Sequence, residues 1–218
     1  MENNNSLTEK VYESILKEIV TFKIKPNEIM SESSLAKKFN ISKTPVREAL
    51  LKLKQEGWVS SSPNVGYVVK DFQISDIHEV FNLRDLLEGE AVYLATKNIN
   101  EKEINLLEEK RRERKKILEE KQFDEYEYLK YHDEFHLAIA ELSQNKRLKK
   151  FNSELLNETR RMRMYDPLMR TTELEEEESF EKQIINCLKN NKPETAREIM
   201  STHIEESKKR IIEQIING

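Results

Sequence analysis

One run, Ile41-Ser42-Lys43-Thr44-Pro45-Val46-Arg47-Glu48-Ala49-Leu50, continuing through Leu53 to Glu56-Gly57-Trp58-Val59, restricts the fold more than any other segment of the chain. Ser42 or Thr44 supplies a hydroxyl suited to cap a helix, and Pro45 suits a first helical turn, where a missing amide hydrogen costs little. Val46, Ala49, Leu50 and Leu53 recur at helical spacing, so the helix has one buried face. Just upstream, residues 31–39 predict a second short helix with Leu35, Ala36 and Phe39 on one side. Asn40 follows it and tolerates the left-handed backbone of a tight turn. Two short helices joined in this way make a helix-turn-helix. An earlier helix over residues 7–22, carrying Val11, Ile15, Ile19 and Phe22 and ended near Lys25-Pro26, completes a small core.

Lys43, Thr44 and Arg47 fall in the first turns of the second helix, outside its apolar stripe, where a DNA major groove would lie. Arg47 is the expected base reader, because a guanidinium meets guanine through two parallel hydrogen bonds. Lys43 and the hydroxyls of Ser42 and Thr44 suit phosphates. An ordinary solvated helix start is the competing reading, since Ser, Thr and Lys are common there. The next residues favour DNA: Trp58-Val59-Ser60-Ser61 and Tyr67-Val68-Val69-Lys70 are β-prone runs separated by Ser62-Pro63-Asn64-Val65-Gly66, which predicts a hairpin wing. The combination "S-x-TPVREAL-x-x-L-x-x-EG" followed by "P-x-x-G" resembles the winged helix of the GntR family of bacterial transcription regulators over about residues 8 to 72. The resemblance implies a double-stranded DNA operator as partner and Ser42, Lys43, Thr44, Arg47 and Gly66 as the DNA-binding residues. Many relatives carry an arginine just before the wing glycine, where this chain has Val65. Gly66 therefore also has a purely conformational use.

A length of 218 residues accommodates this small domain, residues 1–72, and a larger one, residues 73–218. The chain has 37 Lys and Arg against 41 Asp and Glu, distributed as +2 in the first part and −6 in the second. Attraction to phosphate must then come from placement on one face and from doubling in a dimer rather than from bulk charge. There is no run of about 18 apolar residues to span a membrane and no signal-peptide core near Met1, so a cytoplasmic location is expected. Cys187 is the single cysteine, which excludes an internal disulfide; its neighbours Ile184, Ile185 and Leu188 predict a buried thiol rather than a catalytic one.

Past Phe72 the apolar spacing predicts six helices, near residues 75–97, 101–120, 123–142, 146–164, 173–190 and 194–216. The fold class is thus mainly α: a winged helix-turn-helix with a small β-hairpin, followed by an all-α bundle. Thr172 with Glu175 fits a capping box, and Asp166-Pro167 predicts a break. The alternating charges between Glu108 and Lys116 predict a solvated helix face.

Four histidines occur, of which His132 and His136 share one helix face at a spacing of four and so can share one ion. The surrounding "HDEFH" differs from the zinc-protease H-E-x-x-H, because Asp133 is one methylene short of the required glutamate. His78 has no motif behind it and is expected at the surface. Three stretches, "LRDLLEGEAVYLA", "FHLAIAELSQN" and "AREIMSTHI", resemble the FCD ligand-sensing domain of the FadR subfamily, over about residues 74 to 214. In metal-binding members an aspartate lies four residues before the first histidine and another histidine begins the later helix. Here His132 and Glu181 stand at those places. The resemblance implies a set of three imidazoles and one carboxylate, His132, His136, Glu181 and His203, suited to a divalent metal such as Zn²⁺, with Ni²⁺ or Mn²⁺ as alternatives. Asp133 is an alternative carboxylate, and a metal-free cavity is an alternative to the metal.

Arg84 is the expected partner of a small organic acid effector, with an i,i+4 pair to Glu88 as its other use. Asn145 either hydrogen-bonds the effector or ends a helix. Together these features predict a homodimeric, metabolite-responsive repressor that reads two half-sites. Two rival classes are a metal-dependent enzyme that uses the winged helix for docking and a DNA-architectural protein with an inert bundle.

Overall fold

The stripe Val11, Ile15, Leu16 and Ile19 is buried along one side of α1 (Glu2–Val20), which packs on α3 (Lys43–Gln55) through Val46, Leu50 and Leu53. The structure, a computed structural model, describes residues 2–63, 65–119, 125–163 and 174–217. It divides into two units, residues 1–72 and 73–218.

In the first unit, α2 (Glu32–Phe39) begins at Ser31, whose Oγ accepts from the Ser34 amide at 3.0 Å. Asn40 ends it at φ 54°, in the left-handed region that its short polar side chain tolerates. Ser42 occupies the cap position of α3, yet neither it nor Thr44 caps the helix as expected. Of the two amides that a capping hydroxyl can accept from, N2 and N3, the proline at N3 removes one, and the Ser42 side chain makes no cap hydrogen bond. Thr44 lies inside the helix.

The wing comprises β2 (Val59–Ser62) and β3 (Gly66–Val69), paired antiparallel with Ser62 opposite Gly66 and Val59 opposite Val69. A third strand, β1 (Ile29–Met30), pairs with the other edge of β3, giving the order β1-β3-β2. Two residues carry no readable alternation, so β1 had no sequence signal. Gly66 has φ +124°, and a Cβ placed there would sit 2.5 Å from the Met30 carbonyl oxygen. Gly66→Ala is therefore expected to destabilise this unit by about 1–3 kcal/mol, seen as a lower thermal midpoint; an unchanged midpoint would mean that β1 yields freely.

The second unit consists of α4 (Ile74–Asn98), α5 (Glu101–Glu119), α6 (Glu125–Leu142), α7 (Lys146–Met162), α8 (Leu174–Lys189) and α9 (Pro193–Asn217). Helix α4 is central and packs against α6, α7, α8 and α9, burying Ile77, Phe81, Ala91, Val92 and Ala95. A reciprocal cap opens it, with the Asp76 carboxylate accepting from the Gln73 amide at 2.8 Å. The expected Thr172–Glu175 box and Asp166-Pro167 break lie outside the described residues. The charged run on α5 is not simply solvated. Arg111 bridges Glu108 and Glu178, both at 3.1 Å, and Lys189 reaches Glu108 at 2.9 Å, so paired charges line the seam between α5 and α8.

Cys187 is buried on α8 as its neighbours predict, and burial pushes its thiol up. It should stay inert to thiol reagents in the native protein and react only on unfolding. Rapid native labelling would show that α8 opens.

Candidate functional site

Helix periodicity sorts α3 into two faces. Pro45, Val46, Ala49 and Leu50 are buried, while Ser42, Lys43, Thr44 and Arg47 are all exposed. Arg47 is nonetheless engaged: its Nε donates to Glu32 Oε1 at 3.0 Å and Oε2 at 3.1 Å, and its Nη2 donates to Oε2 at 2.9 Å. Those hydrogen bonds hold the Glu32 carboxyl below its usual range. Glu32 went unremarked in the sequence because the pair joins two helices; an acidic residue directly after the Ser31 cap was the available signal. In the wing, Val65 is exposed and Gly66 is half-buried.

In the bundle, His132 and His136 of α6 meet His203 of α9, with one ligand atom from each ring lying within 4.8 Å of the others. All three are buried. Ring centroids lie 4.6 Å apart for His132 and His136 and 5.4 Å apart for His136 and His203. Phe180 stacks on His203 at 3.8 Å and excludes water from that side.

Glu88, one turn after Arg84 on α4, organises the cluster. Its Oε2 lies 2.5 Å from His136 Nδ1 and its Oε1 accepts from Arg84 Nε at 2.6 Å. Burial alone would raise the Glu88 carboxyl, but the Arg84 and His136 charges and hydrogen bonds outweigh it and keep the group well below the carboxylate range. An ionised Glu88 places the proton of His136 on Nδ1. The opposite nitrogen, Nε2, is buried and has no hydrogen-bond partner among the described residues. A carboxylate behind an imidazole is the arrangement that orients metal-bound histidines.

His132 is held differently. Arg163 Nη1 lies 2.7 Å from its Nε2, and a guanidinium only donates, so that nitrogen is an acceptor. Its Nδ1 faces Asp133 Oδ1 at 3.8 Å. Burial would raise Asp133, yet the adjacent His132 ring and the charges of Arg160 and Arg163 bring it down to about 2. Asp133 Oδ2 accepts from Arg160 Nε at 2.7 Å, and Asp133 is not among the three converging donors.

Arg84 is fully buried, with both Nη1 and Nη2 lacking hydrogen-bond partners among the described residues. Its expected pair with Glu88 and its availability to a carboxylate thus coexist, on different edges of one guanidinium. Asn145 takes the second of its two expected uses, ending a helix. It is exposed, and its Oδ1 caps α7 by accepting from the Arg147 and Leu148 amides at 3.1 and 3.2 Å. Glu181 is buried on α8 but is not among the three converging donors. His78 is exposed. Unforeseen in the sequence were Asn152 and Ser207, buried polar side chains on α7 and α9 whose polar atoms have no partner among the described residues. Each interrupts an apolar stripe, Asn152 between Leu148 and Leu155, Ser207 between Ile204 and Ile211, and that interruption was the legible sign.

The three imidazoles fit a divalent transition ion: they are buried, neutral-capable donors, and one of them has a spare nitrogen already oriented. Residues 7–69 match the family described as "Bacterial regulatory proteins, gntR family", and residues 79–206 match the FCD domain. The chain belongs to the GntR family. It is a transcriptional regulator with a GntR-type helix-turn-helix and an FCD effector-binding domain. Among relatives of this GntR regulator, the Nta operon transcriptional regulator of Aminobacter aminovorans is 30% identical over 202 residues, covering 91% of each chain. The HTH-type transcriptional repressor RspR of Escherichia coli is 26% identical over 137 residues, 63% of this chain and 59% of that one. The solved structure of Escherichia coli McbR/YncC superposes with a TM-score of 0.77 at 23% identity, covering 96% of this chain and 98% of that one, which shows a shared fold. No helix of the described residues is long and apolar enough to cross a membrane.

Proposed function

We propose that this regulator is a homodimeric repressor whose C-terminal unit holds a divalent metal and releases or tightens DNA on binding a small carboxylate effector. The observation that carries the reading is the buried Nε2 of His136, without a hydrogen-bond partner among the described residues and presented by the Glu88 carboxylate behind it. His132, His136 and His203 would hold the ion, with Glu181 of the neighbouring α8 as the carboxylate. Zn²⁺ suits this donor set, and Ni²⁺ or Mn²⁺ are the alternatives. The ion would act as a fixed positive charge for an effector oxygen.

Arg84 supplies the second anchor, since a bidentate contact to its Nη1/Nη2 edge, which has no partner among the described residues, matches a carboxylate. Asn152 and Ser207 are candidates for the effector's hydroxyl or carbonyl oxygens, the role expected of Asn145. The two anchors share Glu88, so an anion at Arg84 alters the field on the carboxylate that orients His136. An effector that binds one arrangement of α4 and α6 better than another shifts the population of the dimer and with it the spacing of two DNA-reading helices. Exposed Leu83 and Leu86 on α4 offer apolar surface for that dimer. Ser42, Lys43, Thr44, Arg47 and Gly66 face the operator.

The contact of Arg163 with His132 favours a second reading, a metal-free regulator in which the guanidinium takes the place of the ion. Elemental analysis with native mass measurement separates the two. The first expects a dimer with about one divalent ion per chain, lost in His136→Ala. Wild-type protein that stays metal-free after incubation with Zn²⁺ would establish the second, and a strictly monomeric mass would remove the half-site model from both.

A further inference from the structure

We infer that Glu32 is a positioning residue for sequence reading: it grips one edge of the Arg47 guanidinium and presents the other, already oriented, to a guanine. The inference rests on the reading of α3 as the recognition helix and extends it to a residue outside that helix.

The geometry decides which edge is used. A guanidinium carries five N–H donors in one plane. Glu32 engages Nε and the near hydrogen of Nη2, at 2.9–3.1 Å. The remaining pair, Nη1 and the outer hydrogen of Nη2, forms an end edge whose two parallel donors match O6 and N7 of guanine. The carboxylate therefore occupies the edge that base reading does not need. The Arg47 side chain remains 60% exposed, whereas Glu32 is 23% exposed, so the gripped side lies toward the protein and the free end toward solvent.

Arginine has many rotamers, and an unsupported one surrenders that freedom when it docks. Glu32 removes much of the freedom beforehand. Glu32 is itself fixed, being the first residue of α2, where the positive end of the helix dipole favours its charge. Helix α2 is in turn seated on α3 and buries Leu35 and Ala36. Lys43 adds a favourable charge to the same carboxylate. The pair is thus braced from both helices of the corner. The opposite possibility, that Glu32 masks Arg47 and repels phosphate, predicts tighter and less selective binding when it is removed.

The test uses the full chain and a pool of DNA duplexes with a randomised centre, followed by affinities for the selected duplex and its single-base-pair variants. Wild type should enrich a G·C pair that Arg47→Ala no longer prefers, which identifies the base read. Glu32→Ala should weaken the preference at that same pair about tenfold. Preferences at the other positions and binding to scrambled duplex should hardly change, a pattern that general unfolding does not produce. Adding Arg47→Ala to Glu32→Ala should cause little further loss at that pair, because the two act as one unit. If Glu32→Ala loses its helical circular dichroism, Glu32→Gln carries the same test with a smaller loss, since its amide oxygen still accepts one bond. Unchanged preference at that pair, or tighter binding to every duplex, overturns the inference while leaving α3 as the reading helix. An Arg47→Ala protein with wild-type preferences, or a wild type that enriches no sequence, removes the reading of α3 and Glu32's role with it.

Discussion

Glu88→Ala should destabilise the C-terminal unit by about 3–5 kcal/mol, the usual consequence of deleting one member of a buried ion pair. Arg84 is fully buried and Glu88 nearly so, and the Arg84 guanidinium touches the Phe81 ring face rather than water. Without Glu88 its charge has no carboxylate partner among the described residues. His136 loses the acceptor on Nδ1 at the same time, so the ring no longer has a fixed tautomer. Chemical denaturation of the full chain, followed by helical circular dichroism, should show an earlier loss of the bundle with the N-terminal transition in place. On the proposed metal-bound reading, metal retention should fall by about 10- to 100-fold in any fraction that stays folded, as for other partners that orient a ligating histidine. If Glu88→Ala unfolds at the wild-type denaturant concentration, the triad of Arg84, Glu88 and His136 is not a structural unit.

Arg47→Ala carries the second large effect. Loss of one bidentate contact to guanine lowers discrimination by roughly 1–3 kcal/mol, and a symmetric dimer suffers that at both half-sites. The expected signature is a fall in affinity for the selected duplex toward the affinity for scrambled DNA. Lys43→Ala should behave differently, weakening both duplexes alike and reducing the slope of affinity against salt by about one, as a phosphate contact does. Equal effects of the two substitutions on selected and scrambled DNA would place Arg47 on the backbone rather than on a base.

The parts of this architecture that were legible in the sequence share a cause. Helices α4 to α9 follow from apolar spacing because long amphipathic helices are packed through one face, and the predicted bounds fall within one or two residues of those seen. Spacing likewise placed His132 and His136 on one face. Contacts between distant segments left no such trace. Strand β1, the Arg47–Glu32 pair and the Arg163–His132 contact all join elements whose approach depends on packing. Asn145 stayed open in the sequence because its polar side chain suits an effector contact and a helix end equally well, and the cap became visible only in its contacts with the Arg147 and Leu148 amides. Asn152 shows the reverse: a polar residue on an otherwise buried stripe pointed inward, and periodicity alone could have found it.

Pro45 at the third position of α3 has an effect that reaches beyond backbone shape. Helix starts commonly spend their leading hydroxyl on their own amides, which leaves little polarity to offer elsewhere. Here the proline ring removes one of the two amide targets, the Ser42 side chain makes no cap hydrogen bond, and Ser42 stays on the exposed rim of the helix. The start of α3 thus carries unspent hydrogen-bonding capacity beside Lys43, at the place where a sugar-phosphate strand would pass.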